Sequence, residues 1–358
     1  MWKSLKDRAE GVKEMKRMKT TEAVGQVLCH DITQIIPGVT KDAVFRKGHI
    51  IREEDIPVLL SVGKDSVYIW ENDETMMHEN DAAEVLYRMT ANEHMHPSDV
   101  KEGKIEAIAD TEGLLKVDRE KLKKVNAFGE MMIATRHGNT VVKKGDKLAG
   151  TRIIPLVIKK DKMQEAEKIC DGTPILKILP FTVKKAAIIT TGNEVYHGRI
   201  KDAFTPVIEQ KIAEFGAEMM FHEIFDDNDR KITDGCLRAI EAGADIVFCT
   251  GGMSVDPDDK TPLAIKNTGA EMISYGSPVL PGAMFLLSYY RKSDKVIPIC
   301  GLPGCAMYNR RTIFDLVLPR LMAADPVTAD ELASLGEGGL CLNCKVCTFP
   351  NCGFGKGW

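Results

Sequence analysis

The spacing of apolar positions changes character near residue 184. From Lys184 onward, short apolar runs alternate with stretches of helical period, and most of the runs end in a glycine-bearing turn. Lys185-Ala-Ala-Ile-Ile-Thr predicts a strand ending in Thr191-Gly-Asn-Glu194, and 207–215 predicts a helix closed by Gly216. Met219-Met-Phe-His-Glu-Ile-Phe predicts a strand ending at Asp226-Asp-Asn-Asp229, followed by a helix over 232–242 closed by Gly243. Asp245-Ile-Val-Phe-Cys reads as a buried strand that empties into Thr250-Gly-Gly-Met-Ser254. Lys260-Thr-Pro-Leu-Ala-Ile then opens a helix with Pro262 in its first turn. Val296-Ile-Pro-Ile-Cys predicts a further strand ending in Gly301-Leu-Pro-Gly304, with a long helix expected over 305–321. Strand, glycine turn and helix in repetition predict a three-layer α/β/α domain built on a mostly parallel sheet, over 183–325.

Upstream, the texture is different. Trp2, Leu5, Ala9, Val12 and Met15 recur at helical spacing among Lys and Arg residues, predicting an N-terminal helix over 1–19. A surface helix packed on the next domain is the plainer reading; a membrane-surface or partner helix is the sharper one. Residues 20–75 read as a small α+β module with strands at 24–29 and 66–70 and a helix over 53–63 capped by Gly63. Residues 76–182 read as a mixed, β-rich module. It holds a helix from Asp81, a hairpin-like strand pair at 105–109 and 113–118, a helix capped by Asp118, and strand, Gly-Asp turn and strand over 140–155. Lys143, Lys144 and Lys147 fit a solvated strand face better than an anion site, and His94 and His96 fit the surface better than a metal. Residues 326–358 form a short cysteine-rich tail.

Composition narrows the class. A chain of 358 residues is long enough for two or three domains, and 44% apolar with 28% charged residues is ordinary for a soluble globular protein. A net charge of -4 argues against nucleic-acid binding through a basic face. No apolar run approaches the ~18 residues of a membrane span. The opening Met1-Trp-Lys-Ser-Leu-Lys has no apolar signal core, so a cytoplasmic location is expected.

The chemistry should sit where the strands end. Loops leaving the carboxyl ends of parallel strands share one edge of a sheet and converge on a crevice. Thr191-Gly-Asn-Glu, Thr250-Gly-Gly-Met-Ser and Gly301-Leu-Pro-Gly are three such loops, and Pro278-Val-Leu-Pro-Gly282 sits between sheet elements. Neither a G-x-G-x-x-G dinucleotide pattern nor a P-loop is present, so neither a plain Rossmann dehydrogenase nor a P-loop NTPase is supported. The acidic run Asp256, Asp258 and Asp259 repels a bare phosphate and fits a divalent cation or a donor-rich ligand.

Taken in order, Thr-Gly-Asn-Glu, Thr-Gly-Gly-x-Ser with Asp259 five residues past the Ser, Pro-Gly and Gly-Leu-Pro-Gly resemble the molybdopterin-binding domain of molybdenum-cofactor biosynthesis proteins, nearest to the molybdopterin molybdenumtransferases. The resemblance covers 184–323 clearly. Upstream it is partial, at Val24-Gly-Gln-Val-Leu-Cys, Phe45-Arg-Lys-Gly-His-Ile-Ile and Val142-Lys-Lys-Gly-Asp-Lys-Leu. It implies that Thr191, Gly192 and Asn193 line a pterin pocket with Glu194 acidic at the reacting end. It implies that Thr250, Gly251, Gly252 and Ser254 present N–H and hydroxyl groups, that Pro281 and Gly282 line the site, and that Asp259 faces pterin or metal. Gly301, Leu302, Pro303 and Gly304 would offer backbone to the terminal phosphate at a helix start. Glu194 and Asp259 are the implied catalytic residues. In the family, molybdate is inserted into adenylylated molybdopterin with Mg²⁺ and release of the adenylyl group, and a homodimer and a client molybdoenzyme are implied partners.

Departures from the family pattern bear on the reaction. The family's Asp-Gly-Tyr-Ala motif is missing, the Lys of its Pro-Gly-Lys-Pro is Ala283, the Asn of its Leu-Pro-Gly-Asn-Pro is Cys305, and the usual Gly before the Asp is Asp256. Ligand binding survives these changes better than metal insertion does. Two other readings therefore stand: a non-catalytic cofactor carrier or chaperone, and a nucleotide pyrophosphatase or adenylyltransferase of the competence-damage type.

Four of the ten cysteines crowd the tail as Cys341-x2-Cys344-x2-Cys347-x4-Cys352. In a cytoplasmic chain such crowding points to metal rather than to a disulfide framework. The first three match the run that holds a [4Fe–4S] cluster, while the fourth is offset from the usual position and lacks the following Pro. A Zn²⁺ site with all four thiolates is the rival, though zinc ribbons usually use two separated knuckles.

Overall fold

A computed structural model describes residues 16–36, 40–69 and 74–357. The expected helix positions from Trp2 to Met15 lie outside the described residues. The chain divides into two units: one takes the residues up to Asp110 with 117–136 and 144–177, the other takes 111–116, 137–143 and the residues from Ile178. Among the described residues no helix is long and apolar enough to cross a membrane.

In the first unit, Lys16–Lys19 is a strand paired antiparallel with Ser66–Ile69, so the helical reading does not extend to residues 16–19. The strand expected over Val24–Cys29 is also corrected: this stretch makes only isolated bridges, Val27 to Ile50 and Leu28 to Ile69. Its buried Leu28 and Cys29, with Ala23 just before it, anchor a turn-rich segment rather than a ladder. A short 3₁₀ turn at Glu53–Asp55 leads into helix Ile56–Ser61, with Gly63 at φ +77° just beyond it. A four-stranded sheet runs in the order Met95–Pro97, Lys104–Ala109, Lys147–Ile153, Met131–Thr135, with helix Glu79–Thr90 packed across its middle strands. Residues 105–109 and 113–118 do not form the expected hairpin. Strand Lys104–Ala109 pairs with Met95–Pro97 and Lys147–Ile153, whereas Gly113–Val117 pairs with Thr140–Val142. The Asp118 carboxylate accepts from the backbone N–H of Lys121 at 3.0 Å, capping helix Arg119–Ala127 as its position predicts. His96 sits 2.6 Å from Asp110 as an exposed ion pair.

The second unit carries one six-stranded sheet. Its strands are β1 (Lys185–Thr191), β2 (Glu218–Phe225), β3 (Ile246–Thr250), β4 (Glu271–Tyr275), β5 (Leu286–Lys292) and β6 (Lys295–Leu302). The order across the sheet is β2-β1-β3-β6-β5-β4, with β2, β1, β3 and β6 parallel and β5 and β4 antiparallel to their neighbours. The apolar runs of β1, β3 and β6 are buried on both faces, because a side-chain period of two sends alternate residues to opposite layers, whereas the edge strand β2 is only half-buried. Ala186, Ile188, Ile246, Phe248 and Cys300 join one core, beneath helices α1 (Phe204–Ala213) and α4 (Ile313–Met322). Ala187, Ile189, Val247, Cys249 and Ile299 join the other, beneath α2 (Asp229–Glu241) and α3 (Thr261–Asn267). The three-layer α/β/α reading therefore holds.

The long helix expected over 305–321 is broken. Gly304–Met307 is a single 3₁₀ turn, and α4 starts only at Ile313. The cause is a capping box: the Thr312 hydroxyl accepts from Phe314 N at 3.2 Å, and Asp315 accepts from Thr312 N at 2.8 Å. The cysteine-rich segment is packed into the same unit. Leu332 and Phe354 are buried in the α1/α4 core, with Cys341, Phe349 and Cys352 against it. Leu280 N donates to Gly339 O and Cys341 N to Leu280 O, both at 2.8 Å, stitching this segment beside the 278–282 loop.

Phe248 is fully buried and meets Phe314 edge-on at 5.3 Å and 79° between ring centroids and planes. Phe248→Ala should cost the second unit about 3–5 kcal/mol, read as a lowered midpoint in chemical denaturation. A loss below about 1 kcal/mol would mean that this layer is not the close-packed core described here.

Candidate functional site at the carboxyl edge of the sheet

The register places four loops on one edge. Thr190 of β1 lies beside Thr250 of β3, Thr250 beside Leu302 of β6, and Thr191 beside Phe225 of β2. The loops that begin after 191, 225, 250 and 302 thus leave from adjacent strand ends, the position where open parallel sheets hold ligands. Strand β5 enters the sheet at Leu286 opposite Gly301, which brings the 278–285 loop to that edge. The Tyr275 hydroxyl at the end of β4 donates to Met253 O at 3.1 Å and to Ser254 O at 3.3 Å.

The centre of the edge is backbone. Gly251 and Gly252 have φ of +83° and +53°, and a Cβ on Gly251 would stand 2.1 Å from the Thr191 carbonyl oxygen. The Thr261 hydroxyl, at the start of α3, donates to Gly251 O at 2.8 Å and lies 3.1 Å from the Thr191 hydroxyl. Thr191, Thr250 and Thr261 are all buried here. Among the described residues the Thr250 hydroxyl has no hydrogen-bond partner, an uncommon state for a buried polar group.

Carboxylates surround that centre. Asn193 N, on the one-turn helix Asn193–Tyr196, donates to Asp227 at 3.0 Å. Burial raises the Asp227 carboxyl above the usual range. The Asn193 N–H works against the shift, and the charges of Glu194, Asp258 and Asp259 add to it. Asp259 accepts from Asp256 N at 3.1 Å and donates its own N–H to Asp256 O at 3.0 Å, so its carboxylate is held within a turn. Glu194, Ser254 and Asp258 are exposed. Burial raises the Tyr275 phenol, with Asp259 contributing.

Residues 187–323 match the family model described as "Probable molybdopterin binding domain". This segment is a domain of that family. Residues 17–71 match a domain of unknown function. A competence-damage-inducible protein of Bacillus cereus is 25% identical over 129 residues, covering 36% of this chain and 30% of that relative. The chain therefore spans less than a third of that relative's length. Among solved structures, the tungsten cofactor synthesizing protein MoaB of Pyrococcus furiosus is 19% identical with a TM-score of 0.34, covering 40% of this chain and 95% of that one. A molybdenum cofactor biosynthesis protein of the same organism covers 87% of this chain and 64% of that one, at 13% identity and a TM-score of 0.24.

Within this molybdopterin-binding-family domain the sequence-selected residues fall into two groups. Thr191, Gly192, Asn193, Glu194, Thr250, Gly251, Gly252, Ser254 and Asp259 share the edge of β1 and β3. Pro281 and Gly282 do a packing job: Ile313 N donates to Pro281 O at 3.1 Å, and a Cβ on Gly282 would meet the Ile313 side chain at 2.4 Å. Gly301 and Leu302 are buried inside β6, with the Met253 thioether seated on Gly301, and Pro303 is buried beyond them. Gly304 is exposed and opens only a four-residue 3₁₀ turn, so the helix start expected for a phosphate is not there. Asp227, Tyr275 and Thr261 were not singled out from the sequence. The signal available for the first was the acidic run Asp226-Asp-Asn-Asp229 at a strand end.

The tail cysteines Cys341, Cys344, Cys347 and Cys352 line a single cavity of ≈ 520 Å³. Among the described residues no three His, Cys, Asp or Glu side chains are gathered closely enough to hold a metal ion. The Cys347 thiol is lowered, first by the Phe349 N–H and then, against burial, by Arg311. Arg311 also lies over the Phe349 ring at 4.8 Å, and Arg310 donates to Lys345 O at 3.1 Å.

Because the folded state raises the Asp227 carboxyl, its contribution to stability is full below the unfolded carboxylate range and is lost as pH rises through the folded value. Asp227→Asn keeps an acceptor for Asn193 N and removes the charge. It should raise the thermal midpoint at pH 7 and leave it unchanged at acid pH. A lower midpoint at pH 7 would show that the charge is already compensated.

Proposed function

We propose that this protein binds molybdopterin along the β1/β3 edge and acts in molybdenum-cofactor biosynthesis as a molybdenumtransferase-like protein, taking adenylylated molybdopterin and molybdate as substrates. One observation carries the reading: in a domain of the molybdopterin-binding family, the Thr-Gly ends of two adjacent parallel strands interlock beside a set of mutually repelling carboxylates. Gly251 and Gly252 keep side chains out of the crevice and leave backbone to approach a flat ring. The unpartnered Thr250 hydroxyl supplies a donor or acceptor at its floor.

The carboxylates suit Mg²⁺, which takes oxygen ligands and is commonly held by one or two protein carboxylates together with substrate phosphates. A complete protein cage is unnecessary on that account, in keeping with side chains that are near one another without being gathered on a point. Bound Mg²⁺ would neutralise phosphate charge. In this reading Glu194 and Asp259 hold and orient it, and Asp227, held by Asn193 N, positions the 191–194 loop. On the same reading the protein works as a homodimer and passes its product to a molybdoenzyme.

The test is to incubate purified protein with adenylylated molybdopterin, molybdate and Mg²⁺ while following AMP release, and to titrate molybdopterin separately. Glu194→Gln and Asp259→Asn should lower AMP release by about 10²-fold with binding kept within a few-fold. Equal loss of both would remove the catalytic role. Binding without any release in the parent protein would leave a carrier, and turnover of free nucleotides in place of the pterin would favour a pyrophosphatase.

A further inference from the structure

Apart from the strand-edge site, the second unit holds a cavity that the pterin reading does not use. Its volume is ≈ 520 Å³, and all four tail cysteines reach its wall. A single ion bound by four side chains needs far less room. The remaining charged residues on the wall are Arg310, Arg311 and Lys345, and no carboxylate lines it. Among the described residues the Arg311 Nε is buried without a partner, while its Nη1 is held by Asp315 at 2.8 Å and its guanidinium lies over the Phe349 ring beside Cys347.

A concave wall of four thiols ringed by cations calls for a compact, negatively charged, sulfur-ligated group. Four thiolates on an iron–sulfur cubane make an anion of that kind, and hydrogen bonds to its sulfurs are a usual feature of such sites. We propose that Cys341, Cys344, Cys347 and Cys352 ligate a [4Fe–4S] cluster in this cavity, with Arg311 facing it. The fourth spacing, four residues where three are usual, is accommodated because Cys352 is brought back to the wall by the buried Phe354 and by Phe349, which pack on the core of the unit. The thiols line the wall without being drawn to one point, so cluster binding tightens the 341–352 loop and is coupled to its folding.

The proposal does not depend on what the strand edge binds. Its test is anaerobic reconstitution of the full chain with equal amounts of ferrous and ferric iron and with sulfide, which together supply the oxidation level of a [4Fe–4S]²⁺ core. Expected are about four irons and four acid-labile sulfides per chain, a broad visible charge-transfer band, and slower hydrogen exchange over 340–353. Cys344→Ala and Cys347→Ala, both at exposed positions, should abolish the band and most of the bound iron without moving the melting transition of the apo protein. Cys305→Ala, outside the cavity wall, should retain both. Iron content that is the same in the parent and in the Cys344 and Cys347 variants would overturn the proposal. So would one tightly bound Zn²⁺ per chain that iron and sulfide do not displace.

Discussion

The second unit depends on the close approach of Gly251 to the Thr191 carbonyl. Neighbouring strands in a sheet are roughly 4.8 Å apart, and where two parallel strands end their loops must part or touch. Here they touch. Only a residue without a Cβ can sit there, and the Thr261 hydroxyl, bonded to Gly251 and beside Thr191, ties the start of α3 to both strand ends. The result is an edge whose middle is main chain and whose rim carries the side chains.

That rim is electrostatically unfavourable in the absence of a ligand. Asp227 is buried enough to lose hydration and sits among Glu194, Asp258 and Asp259, so its ionised form is disfavoured. Backbone N–H groups offset only part of this, at Asp227 from Asn193 and at Asp259 from Asp256. Charge concentrated in this way, on loops held by a rigid sheet, is a common mark of a site awaiting a cation or a donor-rich partner.

The same unit joins this edge to the cysteine-lined cavity through short stretches of chain. From the end of β6 at Leu302 the chain runs through the 3₁₀ turn at Gly304–Met307 to Arg310 and Arg311 on the cavity wall. The 278–282 loop is bonded through Leu280 to Gly339 and Cys341, at the entry to the cysteine run. Asp315 serves both sides of this junction, capping α4 and holding Arg311, and it also pairs with Lys211 of α1. Order in the tail and the placement of α4 are therefore parts of one packing problem.

The parallel strands, the glycine turns after them and the loops at their carboxyl ends were legible in the chain alone. Apolar runs buried on both faces and terminal glycines are local signatures that need no partner to be read. Strand pairing was not legible: 105–109 and 113–118 look like a hairpin, yet the first pairs with 95–97 and 147–153 and the second with 140–142, because register is chosen by which faces must be buried. The break before α4 was locally encoded in Thr312-Ile-Phe-Asp315 but masked by the apolar residues around it. For the site, the order of residues along the chain already set which types stand at the strand ends. Tertiary structure alone decided that Pro281 and Gly282 serve packing against Ile313, that Asp227 joins the acidic rim, and that four clustered cysteines share one wall with Arg311. Each of those outcomes depends on distances between segments that only the folded chain brings together.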